Sequence, residues 1–228
     1  MNYIRIFFVI CILFSTSVFA IEISTSTGNG ADSFVHRYYP GENYGADTLL
    51  IVKTDPPQHT NDRKAYVRFD LNDVFGHVSF AQFTLTLNYY SGVHPAIAEY
   101  LVYGLNDGHQ GEDWAEAGIT WSNAPANVTN GDIELIASDV TYLGNFLIFM
   151  DQVPSGSAVP FYSPELVAFV NADTNDLVTL IMVRVEESAA GTVFVPKELG
   201  SLAPPTLILN GVVGAESQSF SGLKALYR

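Results

Sequence analysis

Short runs in which apolar and polar residues alternate recur along the chain, separated by clusters of Gly, Pro, Asn and Asp. In Phe80–Tyr90, Phe83, Leu85 and Leu87 share one side of an extended strand, and Gln82, Thr84, Thr86 and Asn88 share the other. One buried and one wet face is the pattern of antiparallel sheet. Comparable runs fall at Ala31–Arg37, Thr48–Lys53, Ala65–Asp70, Glu99–Gly104, Asp132–Ser138, Asn145–Met150, Leu177–Glu186, Thr192–Glu198 and Thr206–Leu209. Many short strands between turn signals predict an all-β sandwich or barrel. The loops are expected at Pro40–Gly45, Asp55–Asp62, Asn106–Asp113, Asn123–Gly131 and Val153–Pro160. One helix is predicted, over Ser163–Asn171: Ser163 can cap it, Pro164 suits the first turn and Glu165 favours the positive end. Leu166, Val167 and Val170 would be its buried stripe, plugging one end or edge of the sandwich.

The two ends differ from this pattern. Met1–Ala20 carries Arg5, then an apolar run, then Val18 and Ala20 at the positions a signal peptidase reads, and so predicts a secretory signal peptide with Ile21 as the first mature residue. Residues 21–210 would form a single sandwich domain and residues 211–228 a flexible tail. The one cysteine, Cys11, falls inside the predicted signal, so a mature chain would rely on packing and not on disulfides.

Charge narrows the partners. The net charge of −14 becomes −15 when Arg5 leaves, and Lys and Arg are scarce. Binding to a phosphate backbone rests on clustered cations, so nucleic acid is excluded as a partner. After signal cleavage nothing in the chain calls for a membrane.

Residues 102–126, reading VYGLNDGHQGEDWAEAGITWSNAPA, form an acidic, aromatic-rich segment between two strand-like runs. With its core W-x-E-x-G-I-T-W-x-N-A-P go three further blocks: NYGADTLLIVK at 43–53, RKAYVRFDL at 63–71 and VFVPKELGSLAPPTLIL at 193–209. On these blocks and their order the chain resembles the DNRLRE-type domains, classed as carbohydrate-binding module family 96 and related to the disaggregatase repeats. The resemblance implies a jelly-roll-like antiparallel β-sandwich, placement outside the cell and binding of polysaccharide, with acidic glycans such as alginate among the ligands. The apolar stretch Gly144–Phe161 departs from the family pattern as an insertion-like segment.

Sugar binding needs flat aromatic faces for the apolar side of a pyranose and polar groups for its hydroxyls. Tyr38, Tyr39 and Tyr44 are one candidate cluster, flanked by His36 and Arg37 and followed by Lys53, Arg63, Lys64 and Arg68. If Arg37, Lys53, Arg63 and Arg68 project to one side, they form a cationic strip suited to uronate carboxylates. The alternative assigns these cations to structural ion pairs with Asp62, Asp70 and Glu198. Trp114 and Trp121 are expected to pack the loop, because indoles bury large areas. Glu116, Thr120 and Asn123 are expected to organise that loop through side-chain to backbone bonds.

Oxygen-rich loops at Asn106–Asp113 and Asp173–Asp176 leave room for a structural calcium ion, although neither has EF-hand spacing. The five histidines show no paired spacing for zinc, and the absence of cysteine from the mature chain argues further against a zinc site, so the identity of any metal stays open. Asn127-Val128-Thr129 is a sequon, which makes Asn127 a candidate glycan acceptor. The reading that follows is a secreted, non-catalytic carbohydrate-binding module. A structural or adhesive matrix protein is the alternative, and a polysaccharide lyase using Tyr38 with His36, Arg37 or Lys53 is a further one.

Overall fold

The computed structural model describes residues 19–74 and 76–211. Its elements, in chain order, are β1 (Phe19–Ser24), β2 (Ala31–His36), β3 (Leu50–Val52), β4 (Arg63–Asp70), β5 (Val78–Ser91), β6 (Ile97–Leu105), β7 (Val140–Phe149), β8 (Ala158–Tyr162), α1 (Pro164–Ala172), β9 (Leu177–Arg184), β10 (Gly191–Phe194) and β11 (Thr206–Gly211). They build a jelly-roll-like antiparallel sandwich. One sheet runs β1-β11-β5-β10-β3, with β8 also paired to β5, and the other runs β2-β4-β9-β6-β7. Among the described residues no helix is long and apolar enough to cross a membrane.

The alternation read from the sequence fills the space between the sheets. Phe83, Leu85 and Leu87 of β5 meet Val67 and Phe69 of β4, Tyr100 and Val102 of β6, and Leu180 and Met182 of β9 in one apolar core. The helix caps as expected: Ser163 accepts a bond from the Leu166 amide at 3.0 Å and donates to the Leu143 carbonyl at 2.6 Å. Leu166 and Val170 are buried, Val167 packs partly buried against the core, and α1 lies against β5 and β7. Gly104 on β6 makes room for α1, since a Cβ there would come 2.3 Å from the Phe169 ring.

A second apolar core lies on the outer face of the β2-β4-β9-β6-β7 sheet. The connection between β6 and β7 folds back over that face and packs Trp114, Ile119, Trp121 and Ala126 against Val35, Tyr66 and Ile181. Strand β4 is therefore covered on both sides, and its six central residues are all buried. Ala65, Val67 and Phe69 point into the space between the sheets, while Tyr66 joins the outer core. Both tryptophans are buried, as expected, and each indole N–H is bonded, Trp114 to Thr179 at 3.1 Å and Trp121 to the Thr129 carbonyl at 2.9 Å. Side chains pin the loop: the Asn43 amide donates to the Glu116 and Ile119 carbonyls, each at 2.7 Å, and Asn123 accepts from the Thr120 amide at 2.7 Å. Gly45 lets the chain pass so close that a Cβ would sit 2.2 Å from the Glu116 carbonyl oxygen.

Three differences from the expected elements have local causes. Asp132–Ser138 is not a strand; it contributes one bridge, Asn127 to Leu135, within the covering loop, where Leu135 packs against the outer core while Ile136 is exposed. The insertion-like stretch 144–161 is the end of β7 and the strand β8, which was hidden by its turn residues. Pro160 stands opposite Thr84 on this outlying strand, where a residue without an amide hydrogen is tolerated. The run at Thr192–Glu198 ends at Phe194, and Pro196 leads into a 3₁₀ turn over Lys197–Leu199. Residues 1–18 of the expected signal peptide and 212–228 of the expected tail lie outside the described residues, while Phe19 and Ala20 open β1 opposite Gly211 and Asn210.

Trp121→Ala should lower stability by about 3–5 kcal/mol, because it empties the centre of the outer core. Urea unfolding followed by far-ultraviolet circular dichroism measures the loss.

Candidate functional site

The candidate aromatic and basic residues gather at the end of the sandwich where β2 leaves and β4 begins. His36 stands opposite Arg63 in the β2–β4 ladder, and Lys53 bridges to Arg63 from the other side. Beyond His36 the chain turns, and the turn presents Tyr38 and Tyr39 to solvent at 58% and 50% exposure. Their rings meet edge to face at 4.7 Å, and His36 supports them from below, 5.2 Å from Tyr39. Tyr44 is not part of this platform. It stacks on Phe34 at 4.3 Å, and its hydroxyl lies 3.4 Å from His36 Nδ1.

His36 is the hub. Its Nε2 faces Asn61 Oδ1 at 3.3 Å, and it is buried. Burial, and then the charges of Arg63 and Lys53, push its pKa down to about 4, so the ring is neutral at physiological pH. Lys53 is held by Asp55 at 2.6 Å, and Asp55 also accepts from Asn61 at 3.2 Å. Burial works against the Asp55 charge, yet the bonds from Lys53 and Asn61 outweigh it and hold that carboxyl below its usual range. Arg63 differs: among the described residues no carboxylate pairs with it, and its buried Nε has no hydrogen-bond partner.

The remaining cations do not join a strip. Arg37 turns away from the tyrosines, binding Asp132 and the His59 carbonyl, the latter at 3.1 Å. Lys64 and Arg68 lie on the other face of β4, under the loop. Lys64, 1% exposed, donates to Asn127 at 2.8 Å and sits over Trp121, while Arg68 donates to the Trp114 carbonyl at 2.7 Å and sits over the Trp114 ring. The condition for a cationic strip, that Arg37, Lys53, Arg63 and Arg68 share one side, is not met, and Arg37 instead stands 3.6 Å from Asp62, as the ion-pair alternative has it. The period of two in β4 sends Arg63 to one face and Lys64 and Arg68 to the other.

Asn127 is also corrected as a glycan acceptor. Its side chain is buried, and its amide nitrogen donates to the Trp121 carbonyl at 2.7 Å, so a sugar on that nitrogen is incompatible with this packing.

Two carboxylate clusters bear on metal binding. Asp32, Glu116 and Glu198 converge, but Lys197 already supplies the cation, 2.7 Å from Glu116 and 2.5 Å from Glu198. Asp107, Glu112 and Asp173 converge from the two loops singled out for calcium. Asn175 donates to Glu112 at 2.6 Å, Thr174 to Asp107 at 2.6 Å, and a cavity of about 130 Å³ adjoins them. Burial and the neighbouring acids raise Asp173 to about 6 and also raise Glu112. By donor type this all-oxygen set suits a hard cation.

Sequence reasoning missed a groove of about 400 Å³ lined by Tyr103, Leu135, Val140 and Tyr142, with Glu134 on its wall. Its two tyrosine rings lie 5.5 Å apart. The odd positions of the Glu99–Gly104 run placed Tyr103 on the outward face, which was the available signal.

The family model of carbohydrate-binding module family 96 matches residues 24–142, just over half of the chain. No curated protein matches the chain. The matched span holds the Tyr38–Arg68 region and the tryptophan loop, and of the four sequence blocks only Val193–Leu209 lies beyond it.

His36 couples this region to pH. Between its ordinary value of 6.5 and the folded value of about 4, the unfolded chain takes up a proton that the folded one refuses, so the His36 contribution falls as pH falls across that window. Asp32, raised to about 7 mainly by burial, acts with the opposite sign over the same range. His36→Gln removes only the first effect. Its stability should therefore fall less than wild type, or rise, between neutral pH and pH about 4.5, as read by denaturant midpoints at the two pH values.

Proposed function

The chain belongs to carbohydrate-binding module family 96, and from that premise we propose that it is a secreted, non-catalytic module for an acidic polysaccharide such as alginate, held at the Tyr38, Tyr39 and Arg63 end of the sandwich. The observation that carries the reading is that an exposed tyrosine pair and Arg63, which makes no ion pair among the described residues, both flank His36, Arg63 opposite it in the β2–β4 ladder and Tyr39 with its ring 5.2 Å away. A sugar ring stacks on one tyrosine face, and its carboxylate takes the fork of Arg63 with Lys53 behind it. On a chain of net charge −14 this is a local reversal of sign, which favours an anionic ligand over a neutral one. The Met1–Ala20 pattern supports secretion.

The state of His36 supports binding over catalysis. A general base must reach the proton it removes. His36 is 3% exposed, with Tyr44 and Asn61 at its two ring nitrogens, and so offers no free lone pair to a substrate.

The groove at Tyr103 and Tyr142 favours a second reading. Glu134 on its wall repels a uronate, whereas its apolar rings suit a neutral glucan.

Affinity electrophoresis against alginate, pectin, β-glucan and chitin tests both. Tyr39→Ala and Arg63→Ala should each abolish most retardation by alginate and leave the melting temperature close to wild type. Arg68→Ala should instead lower the melting temperature, because it removes a buried cation from beneath Trp114. Retardation by β-glucan alone, lost in Tyr142→Ala, would move the site to the groove. New unsaturated ends in the polysaccharide would overturn the non-catalytic reading.

A further inference from the structure

A third group of potential ligands lies where three loops meet, beside the Arg37 end of β2. His59 comes from the β3–β4 loop, Asp132 from the β6–β7 loop and Glu187 from the β9–β10 loop. His59 Nε2 stands 3.8 Å from Asp132 Oδ2 and 3.6 Å from Glu187 Oε1. Bonds of about 2.0–2.2 Å around a tetrahedral dication place neighbouring ligand atoms about 3.4 Å apart. His59 Nε2, the apex of this triangle of groups, thus stands within a few tenths of an ångström of that spacing from each of the two carboxylates.

Two buried atoms beside the triangle lack partners. Asp62 is 1% exposed, and its Oδ1 accepts from the Asp55 amide at 2.6 Å. Asp62 Oδ2 and His59 Nδ1 have no hydrogen-bond partner among the described residues, and they face each other at 3.5 Å. Leaving a buried carboxylate oxygen unmatched is costly. A proton on Nδ1, directed at Asp62, resolves that cost and turns the Nε2 lone pair toward Asp132 and Glu187. A metal-binding histidine is oriented through its other ring nitrogen in this way.

Arg37 does the same for Asp132. It binds Asp132 Oδ1 and the Asn130 carbonyl and leaves Oδ2 turned to His59. Charge completes the argument. Asp62, Asp132 and Glu187 bring three negative charges and Arg37 one positive, so a neutral His59 leaves the cluster two charges short of balance.

We propose that His59, Asp132 and Glu187 bind a transition-metal dication, zinc foremost, with Asp62 and Arg37 as positioning residues. One imidazole with two carboxylates suits zinc better than calcium, which takes six to eight oxygens. Three protein ligands leave one position open to water, and the ion ties three otherwise separate loops together at the end of the sandwich that carries Tyr38 and Tyr39. The site stands whether or not those tyrosines hold a glycan.

Calorimetric titration of zinc chloride into chelator-treated protein tests the proposal, with thermal melts alongside. Wild type should bind one equivalent and melt at a higher temperature with zinc. His59→Gln and Glu187→Gln should lose both effects, and Asp62→Asn should weaken binding about 10–100-fold. Cobalt(II) should give visible d–d absorption with wild type and none with His59→Gln. Glu187 is more than half exposed, so Glu187→Gln keeps the fold, and melts without metal verify it. Absence of saturable zinc binding would overturn the proposal. Binding retained in both His59→Gln and Glu187→Gln would equally overturn it, as would a shift produced by calcium and not by zinc.

Discussion

Burial of β4 on both faces is the constraint on which the rest of this molecule depends. A strand in an antiparallel sandwich ordinarily keeps one wet face, and Lys64 and Arg68 occupy the positions that would be wet. The β6–β7 loop covers them with two indoles, so each charge is met by a ring face and by carbonyl or amide oxygens. The cover has an electrostatic cost: burial pulls Lys64 down to about 8, only partly offset by Glu134. It also decides where a ligand can go. With the centre of that sheet face closed, exposed aromatic rings on this sheet remain at its margins, among them Tyr38 and Tyr39 at one end and Tyr142 and Phe149 on β7.

Scarcity of cations on an acidic chain makes each of them informative. Among the described residues Arg37 serves Asp132, Lys53 serves Asp55, Lys197 serves Glu116 and Glu198, and buried Arg184 donates to the Ala190 carbonyl. Lys64 and Arg68 are spent in the outer core. Arg63 is the described cation whose side chain makes no hydrogen bond, in a place where burial already works against its charge. An anion brought to Arg63 gains a charge-assisted contact without breaking an existing pair. The same anion at Arg37 would have to compete with Asp132. Pairing therefore separates two arginines that the sequence offers as equivalent.

Much of the fold was legible because a period of two is a local property. The Phe83, Leu85 and Leu87 face and the Ser163 cap were readable from neighbours within a few residues, and the packed tryptophans from their place in the family motif and the area an indole buries. β8 was missed because Pro160 reads locally as a strand breaker, and only its place on an outlying strand, opposite Thr84, makes it acceptable. The covering loop was misread at Asp132–Ser138 for the converse reason. Ile133 and Leu135 alternate as a strand would, but their apolar partners belong to the groove and the outer core.

The site was less legible, because its contacts span long stretches of sequence. Arg37 meets Asp132 across 95 residues, and Lys64 meets Asn127 across 63. Sequence spacing could therefore tell neither which cation is free nor that Asn127 of the sequon is enclosed. Zinc ligands are sought as closely spaced pairs, and His59, Asp132 and Glu187 show no such spacing. What brings them together is the ladder itself: Lys53 bridges Arg63, Thr54 bridges Glu187, and the Arg37 amide donates to the Asp62 carbonyl at 3.0 Å. Backbone pairing at one end of the sandwich thus fixes the relative positions of the β3–β4 loop, the β9–β10 loop and the end of β2. The side chains on those segments converge as a consequence of register, so a change in register at this end would disperse the tyrosine pair, Arg63 and the His59 cluster together.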